Sequence, residues 1–292
     1  GPYKLVDYQS GSYLKFEANE NYYKGEPSIK NVVFQIIENA DTAILALQNG
    51  EVDAYQMTPQ QVKKLDLDAS NLSTYSYSEG RVGYLEINCN RVTDEKVRKA
   101  LLYAMDRKAM DDAAFESSEY YSIPYTFLPT NSQFYTEDGV EKYEQDVDKA
   151  KSMLEDAGVS GLKLKLGYMS SDAVQSAQAL LIQEQLKEVG VTVELAGGDG
   201  TAIANAMKDP DNEYDMYLGG YIMGIDPDTF SSLFENDGAY NYMHYSGYDT
   251  IDQLFEEGRS ELDESARKET YAKLQAAVQD TGAFYPIISN NK

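Results

Sequence analysis

The sequence predicts an α/β protein with a mixed sheet flanked by helices, and three observations carry that prediction. From Asp146 onward helical and strand periods alternate. Residues 1–90 are made of short alternating segments that read as strands around one helix. With 292 residues, 42% of them hydrophobic, the chain has apolar material for one large domain or two modest ones.

The elements follow in order. KLVDYQ and SYLKFEAN alternate about Ser10-Gly11-Ser12, the pattern of two antiparallel strands joined by a turn. NVVFQIIE is expected as a buried strand, DTAILALQNG as a helix stopped at Gly50, and VDAYQM as a further strand. RVGYLEINCN alternates as a strand. Thr93 is then expected to cap one helix through DEKVRKALLYAMDRKAM, with Asp94 and Glu95 in the first turn, where the helix dipole favours acids. Val97, Ala100, Leu101, Ala104 and Met105 recur along one face of it. The Ser-, Tyr- and Pro-rich tract from Phe115 to Tyr143 reads as an irregular excursion over the surface. Next come a helix in DVDKAKSMLEDAG ending at Gly158, the strand LKLKLGYM, a helix in DAVQSAQALLIQEQLKEVG ending at Gly190, and the strand VTVELAG. TAIANAMKD is a short helix and YDMYLGGY a strand; DTIDQLFEEGRS and DESARKETYAKLQAAVQDTG are helices before a terminal strand, AFYPIIS.

Charge and composition exclude several functions. A balance of 25 basic against 49 acidic residues gives a net charge of −24, which repels phosphate backbones, so nucleic acid is not an expected partner. The expected ligand is neutral, zwitterionic or cationic. No run approaches the ~18–20 apolar residues of a membrane span, and residues 1–20 lack a basic stretch followed by an apolar one; the chain as it stands is expected to be soluble and unanchored. The one cysteine, Cys89, allows no internal disulfide, and the one histidine, His244, leaves no histidine-rich metal cluster. Neither metal nor cofactor is expected.

Tyr214–Asp249 holds seven of the chain's 25 tyrosines, interleaved with glycines. Tyrosine offers a rigid ring and a hydroxyl at low entropy cost, and glycine lets backbone approach closely, so the segment reads as a surface for a small polar ligand. Its candidate contacts are Tyr217, Gly219, Gly220, Tyr221, Met223, Tyr242 and Tyr245; the plainer alternative makes the tyrosines amphipathic residues of a domain surface. Tyr168, Met169 and Ser170 join them because they follow the carboxyl end of a strand, where ligands of open α/β sheets lie. Asp226 either caps a helix that starts at Pro227 or touches ligand or hinge. His244 and Cys89 read as structural residues. Asp209, Asp211, Glu213 and Asp215 alternate but lack the glycine and terminal glutamate of a calcium loop.

Four signatures in this order resemble the peptide- and nickel-type extracellular solute-binding proteins of ABC importers: GPYKLVDY with ALQNGEVDAY; VGYLEINCN followed by DEKVRKALLYAMDRKAM; DKAKSMLEDAGV; and YLGGYIMGIDPDTF. The resemblance implies a periplasmic-binding-protein-like lobe plus an incomplete second lobe. Residues 1–89 would be the central piece of an incomplete lobe one and residues 90–292 a nearly complete lobe two. It further implies a monomer, lipid-anchored outside the cell or free in a periplasm, that closes on a peptide or similar solute and delivers it to the membrane permease. Met223 stands where dipeptide binders of the family carry an amine-binding Asp, no Arg falls within Met169–Ala177 to meet a ligand carboxylate, and Tyr221 replaces the usual Trp. Two other readings are a protein-interaction module using the tyrosine surface and a hydrolase using Asp226 with Asp228 or Glu235.

Overall fold

In the computed structural model, residues 1–67, 71–115, 117–222 and 224–291 are described. They form two compact units, Gly1–Thr74 and Tyr75–Lys292.

In the first unit, β1 (Tyr3–Gln9), β2 (Tyr13–Ala18) and β3 (Asn31–Gln35) form an antiparallel sheet in sequence order, and β3 is exposed at Val33 and Phe34 rather than the buried strand expected. The β1–β2 turn closes with the Ser12 N–H donating to the Gln9 carbonyl at 3.0 Å, and Gly11 supplies the positive φ of 72° that the turn requires. Helix α1 (Ala40–Gln48) starts where the Asn39 side chain accepts the Thr42 N–H; it buries Ala43, Ile44, Ala46 and Leu47, and ends before Gly50. VDAYQM is not the expected strand. Residues 51–58 run without regular structure into the short helix α2 (Pro59–Val62), and no described strand lies beside them to form a ladder.

The second unit is built on a six-stranded mixed sheet in the order β5-β9-β4-β8-β6-β7. Its strands are β4 (Arg81–Ile87), β5 (Tyr121–Ser122), β6 (Lys163–Met169), β7 (Thr192–Gly198), β8 (Met216–Ile222) and β9 (Phe284–Asn290). β6 runs parallel to β7 and β8, whereas β4 is antiparallel to both β8 and β9. With β4 paired on both edges inside this sheet, the units divide at Thr74/Tyr75, ahead of the boundary expected at Cys89/Asn90.

Alternation sends each strand's residues to two cores. Leu85, Ile87, Leu164, Leu166, Met216 and Leu218 are buried against α3 (Glu95–Tyr103), α4 (Arg107–Phe115), α5 (Val147–Asp156) and α6 (Ala173–Glu188). Val82, Tyr84 and Phe284 face the other way, against Phe127, Phe230, Phe234, α9 (Asp249–Ser260) and α10 (Glu264–Asp280). Two shorter helices, α7 (Gly200–Ala206) and α8 (Ser231–Phe234), complete the unit.

Two expectations are corrected here. The single helix after residue 93 is two helices, capped by Asp94 rather than Thr93. The break has a local cause: Asp106 caps the second helix by accepting the Ala109 N–H at 3.1 Å, while Gln145 donates to the Ala104 carbonyl that the break leaves free. The tract from Phe115 to Tyr143 is not a surface excursion, for Phe127, Leu128 and Tyr143 are fully buried. Its polar residues bond inward too: the Thr126 hydroxyl donates to Gln275 and β5 pairs with β9.

Candidate functional site

The parallel registers put the carboxyl ends of β6, β7 and β8 on one edge of the sheet, and the pairing of Arg81 with Ile222 brings the start of β4 to the same edge. In open α/β sheets this is the edge where ligands lie. Beyond Ile222 the chain turns at Gly224 (φ 81°), and the Ser132 hydroxyl fixes the turn by donating to the Ile225 carbonyl at 2.7 Å.

On the face that packs against α9 and α10, tyrosines form a chain of ring contacts. Tyr221 meets Tyr240 at 5.2 Å between centroids, Tyr240 meets Tyr242 at 6.5 Å, and Tyr242 meets Tyr217 at 5.6 Å. The outer members reach water, Tyr240 being exposed and Tyr221 half-buried, whereas Tyr242 is buried. Burial is the main cause that pushes the Tyr217 and Tyr221 hydroxyls up to about 12, with Glu86 reinforcing it at Tyr217 and a hydrogen bond with Tyr240 at Tyr221. Below them lies Glu86, fully buried, with both carboxyl oxygens unpartnered among the described residues. Desolvation raises its pKa well above the usual carboxylate range and so favours the neutral carboxyl.

The two glycines of β8 have different uses. A Cβ on Gly219 would lie 2.8 Å from both the Tyr217 and Tyr84 rings. A Cβ on Gly220, on the opposite face, would lie 2.1 Å from Nη2 of Arg81. Both positions therefore seat side chains of the protein itself.

The remaining candidates are placed as follows. The Tyr168 ring covers Gly197, its partner on β7, and packs against the core around α6. The Met169 thioether lies against Gly200 at the start of α7, and its N–H donates to Gln175 at 2.8 Å. Ser170 is exposed and its N–H donates to the Gly198 carbonyl at 3.1 Å. Tyr245 stacks edge-on with Tyr248, whose hydroxyl accepts the Tyr245 N–H at 2.7 Å. Met223 lies outside the described residues. Asp226 caps the 3₁₀ turn Pro227–Phe230 through the Asp228 N–H and is held by both terminal nitrogens of Arg267. Asp228 and Glu235 both pair with Arg259, each at 2.9 Å. His244 accepts a positive φ of 48° and bonds the Met207 carbonyl, and Cys89 is buried and free, its thiol pushed up to about 11 chiefly by burial.

The sheet thus divides the candidates: Tyr217, Gly219 and Tyr221 on one face, Tyr168 and Gly220 on the other. The residue-by-residue reading missed Arg81, Glu86, Tyr84 and Tyr240. The alternation of RVGYLEIN puts Tyr84 and Glu86 on one face, but nothing local shows that their neighbours come from β8. Among the described residues no group of three or more His, Cys, Asp or Glu side chains is arranged to hold a metal, and no helix is long and apolar enough to cross a membrane.

A mixed sheet flanked by helices, with an aromatic edge at its strand carboxyl ends, defines a binding-protein lobe. The chain belongs to the bacterial extracellular solute-binding proteins, family 5, whose middle-region model matches residues 1–242. It is similar to the substrate-binding protein CtaP of Listeria monocytogenes, at 38% identity and a TM-score of 0.91, over 100% of this chain and 60% of that one. A putative peptide-binding protein AppA from Clostridium difficile superposes at TM-score 0.90 with 33% identity, again over 100% of this chain and 60% of that one. Oligopeptide-binding protein AppA of Bacillus subtilis is 26% identical over 98% of this chain and 56% of its own length. The chain therefore spans between half and two thirds of the length of these relatives.

Proposed function

We propose that this chain is the ligand-binding part of an ABC importer's substrate-binding protein, which captures a peptide or similar small solute outside the cell and delivers it to the membrane permease. Within that reading Gly1–Thr74 is a piece of the first lobe and Tyr75–Lys292 the second, the protein acts as a monomer, and a lipid anchor or a periplasm keeps it at the outer face of the membrane. The observation that carries it is the strand-end edge of the second unit, where Tyr221 and Tyr240 present a solvent-reaching aromatic pair beside a turn held open by Gly224. Such an edge suits a ligand gripped by stacking and main-chain hydrogen bonds. The relatives named for oligopeptide and dipeptide binding agree with it. Tyr168, Met169, Ser170, Tyr217, Gly219, Gly220, Tyr242 and Tyr245 would then shape the edge from behind, with Tyr221 nearest the solute; Met223, expected as a contact, lies outside the described residues.

The hydrolase reading loses its reagents to internal ion pairs. Asp226 is occupied by Arg267, and Asp228 and Glu235 share Arg259, which leaves none of the three as a poised acid or base. Native mass spectrometry of the chain with a pool of peptides two to nine residues long tests the proposal. Saturable capture of intact peptides is expected; peptide cleavage, or a folded protein that captures none, would overturn it.

A further inference from the structure

Five of the chain's six arginines are committed to the protein itself. Arg91 pairs with Asp215 at 2.7 Å, Arg98 donates to the Thr281, Val92 and Thr93 carbonyls, and Arg107 donates to the Pro286 and Tyr143 carbonyls while lying over the Tyr285 ring. Arg259 and Arg267 hold the carboxylates described above. Arg81 is the exception: among the described residues it has no hydrogen bond and no ion pair, in a chain with 49 acidic residues.

Nor is Arg81 a loose surface side chain. It is half-buried, and its guanidinium lies against the sheet on a floor made by two glycines that face each other across the β4–β8 ladder. A Cβ on Gly220 would come within 2.5 Å of its Cζ and one on Gly83 within 3.3 Å of Nη1, so any larger residue at Gly220 would displace the group. The floor restricts the flexible stem before any ligand arrives and shields one side of the cation from water, while the N–H fork stays uncommitted. A restrained, partly desolvated guanidinium of this kind matches the two oxygens of a carboxylate, and its restraint lowers the ordering cost of binding. It sits beside Ile222, at the strand-end edge described above.

We propose that Arg81 on its Gly83/Gly220 floor is the anion subsite of this protein and receives a carboxylate of the bound solute. The inference rests on the solute-binding reading and deepens it, since it makes the cargo an acid or a zwitterion rather than a cation.

Two measurements on the 292-residue chain test it. In the first, the arginine Nε–Hε NMR signals are followed during titration with N-acetylglycine and, as the neutral isostere, N-acetylglycinamide; the Arg81 signal is identified by its loss in Arg81→Gln. A saturable shift of that signal with the acid alone is expected. Equal shifts with both compounds, or none, overturn the proposal whether or not peptides bind. In the second, calorimetry compares trialanine with its C-terminal amide. The wild type is expected to prefer the free acid by tenfold or more, Arg81→Lys to keep part of that preference, and Arg81→Gln to lose it while still binding the amide. A preference undiminished in Arg81→Gln overturns the Arg81 assignment and leaves the peptide reading standing. Failure of both peptides alongside a saturable N-acetylglycine shift overturns the peptide reading and leaves the anion subsite standing.

Discussion

Gly219 and Gly220 are adjacent in β8 and serve opposite faces of one sheet. On the first face the vacant Cβ position is filled by the edges of Tyr84 and Tyr217, rings that are themselves locked, Tyr84 against Phe284 at 4.7 Å and Tyr217 against Tyr242 at 5.6 Å. On the second it is filled by the end of one long, uncommitted side chain. The same missing methyl group therefore protects a rigid core on one side and positions a movable charge on the other. A glycine pair in a strand signals that something approaches closely, but only the register tells what.

The largest effect should come from Gly219→Ala. The new methyl would meet two aromatic carbons at 2.8 Å, and neither ring can retreat without disturbing its own partner. Overpacking of this kind costs about 1–3 kcal/mol, and chemical denaturation should show the loss as a lower midpoint. An unchanged midpoint would mean that the tyrosine face is as yielding as the arginine face.

Glu86→Gln probes the charge hidden on the tyrosine face, and its effect is set by pH. Burial raises the carboxyl's folded-state pKa well above 4.5, so the folded protein prefers the proton more than the unfolded chain does. The stability tied to that proton is complete below the unfolded value and is lost as pH rises toward the folded one. Glutamine mimics the neutral acid. Wild type and Glu86→Gln should therefore be equally stable below about pH 4.5. At higher pH the variant should be the more stable of the two, by a margin that grows as pH rises toward the folded value. Denaturation midpoints compared at about pH 4 and about pH 8 decide it, and a difference that does not change with pH would show that Glu86 is compensated.

Much of the fold was legible because its helices and strands carry strong local periods. The helices ending at Gly158 and Gly190 appear as α5 and α6, both glycines taking positive φ (68° and 80°), and the strand that follows each falls where alternation put it. What failed was long-range. VDAYQM has the composition of a strand but no neighbouring strand among the described residues, and the tract around Phe127 has the composition of a loop but fills a core through partners such as Gln275, far along the chain. The candidate site was legible only as a neighbourhood. Tyr217 and Tyr221 lie in the cluster expected of them, yet Asp226 answers to Arg267, and Arg81 gains its setting from a ladder joining residues 81–87 to 216–222. No local pattern encodes that pairing.

The smallest stability effect, and the most telling for function, is expected from Gly220→Ala. Its methyl would overlap Nη2 of Arg81 at 2.1 Å, a closer approach than any at Gly219, yet the atom it meets is the far end of a side chain with no bond to break. The guanidinium can swing toward water, and the backbone keeps its ladder to Gly83. Alanine also lowers the entropy of the unfolded chain by about 0.4–1 kcal/mol, which offsets the loss of contact. The denaturation midpoint should therefore move by less than about 0.5 kcal/mol in equivalent stability, within the range of ordinary surface changes. The preference for a carboxylate over its amide should nevertheless fall, because the cation has lost the floor that restrains it. If Gly220→Ala proved as destabilising as Gly219→Ala, Arg81 would have to be held by the fold more tightly than its lack of partners implies, and the contrast between the two faces would disappear.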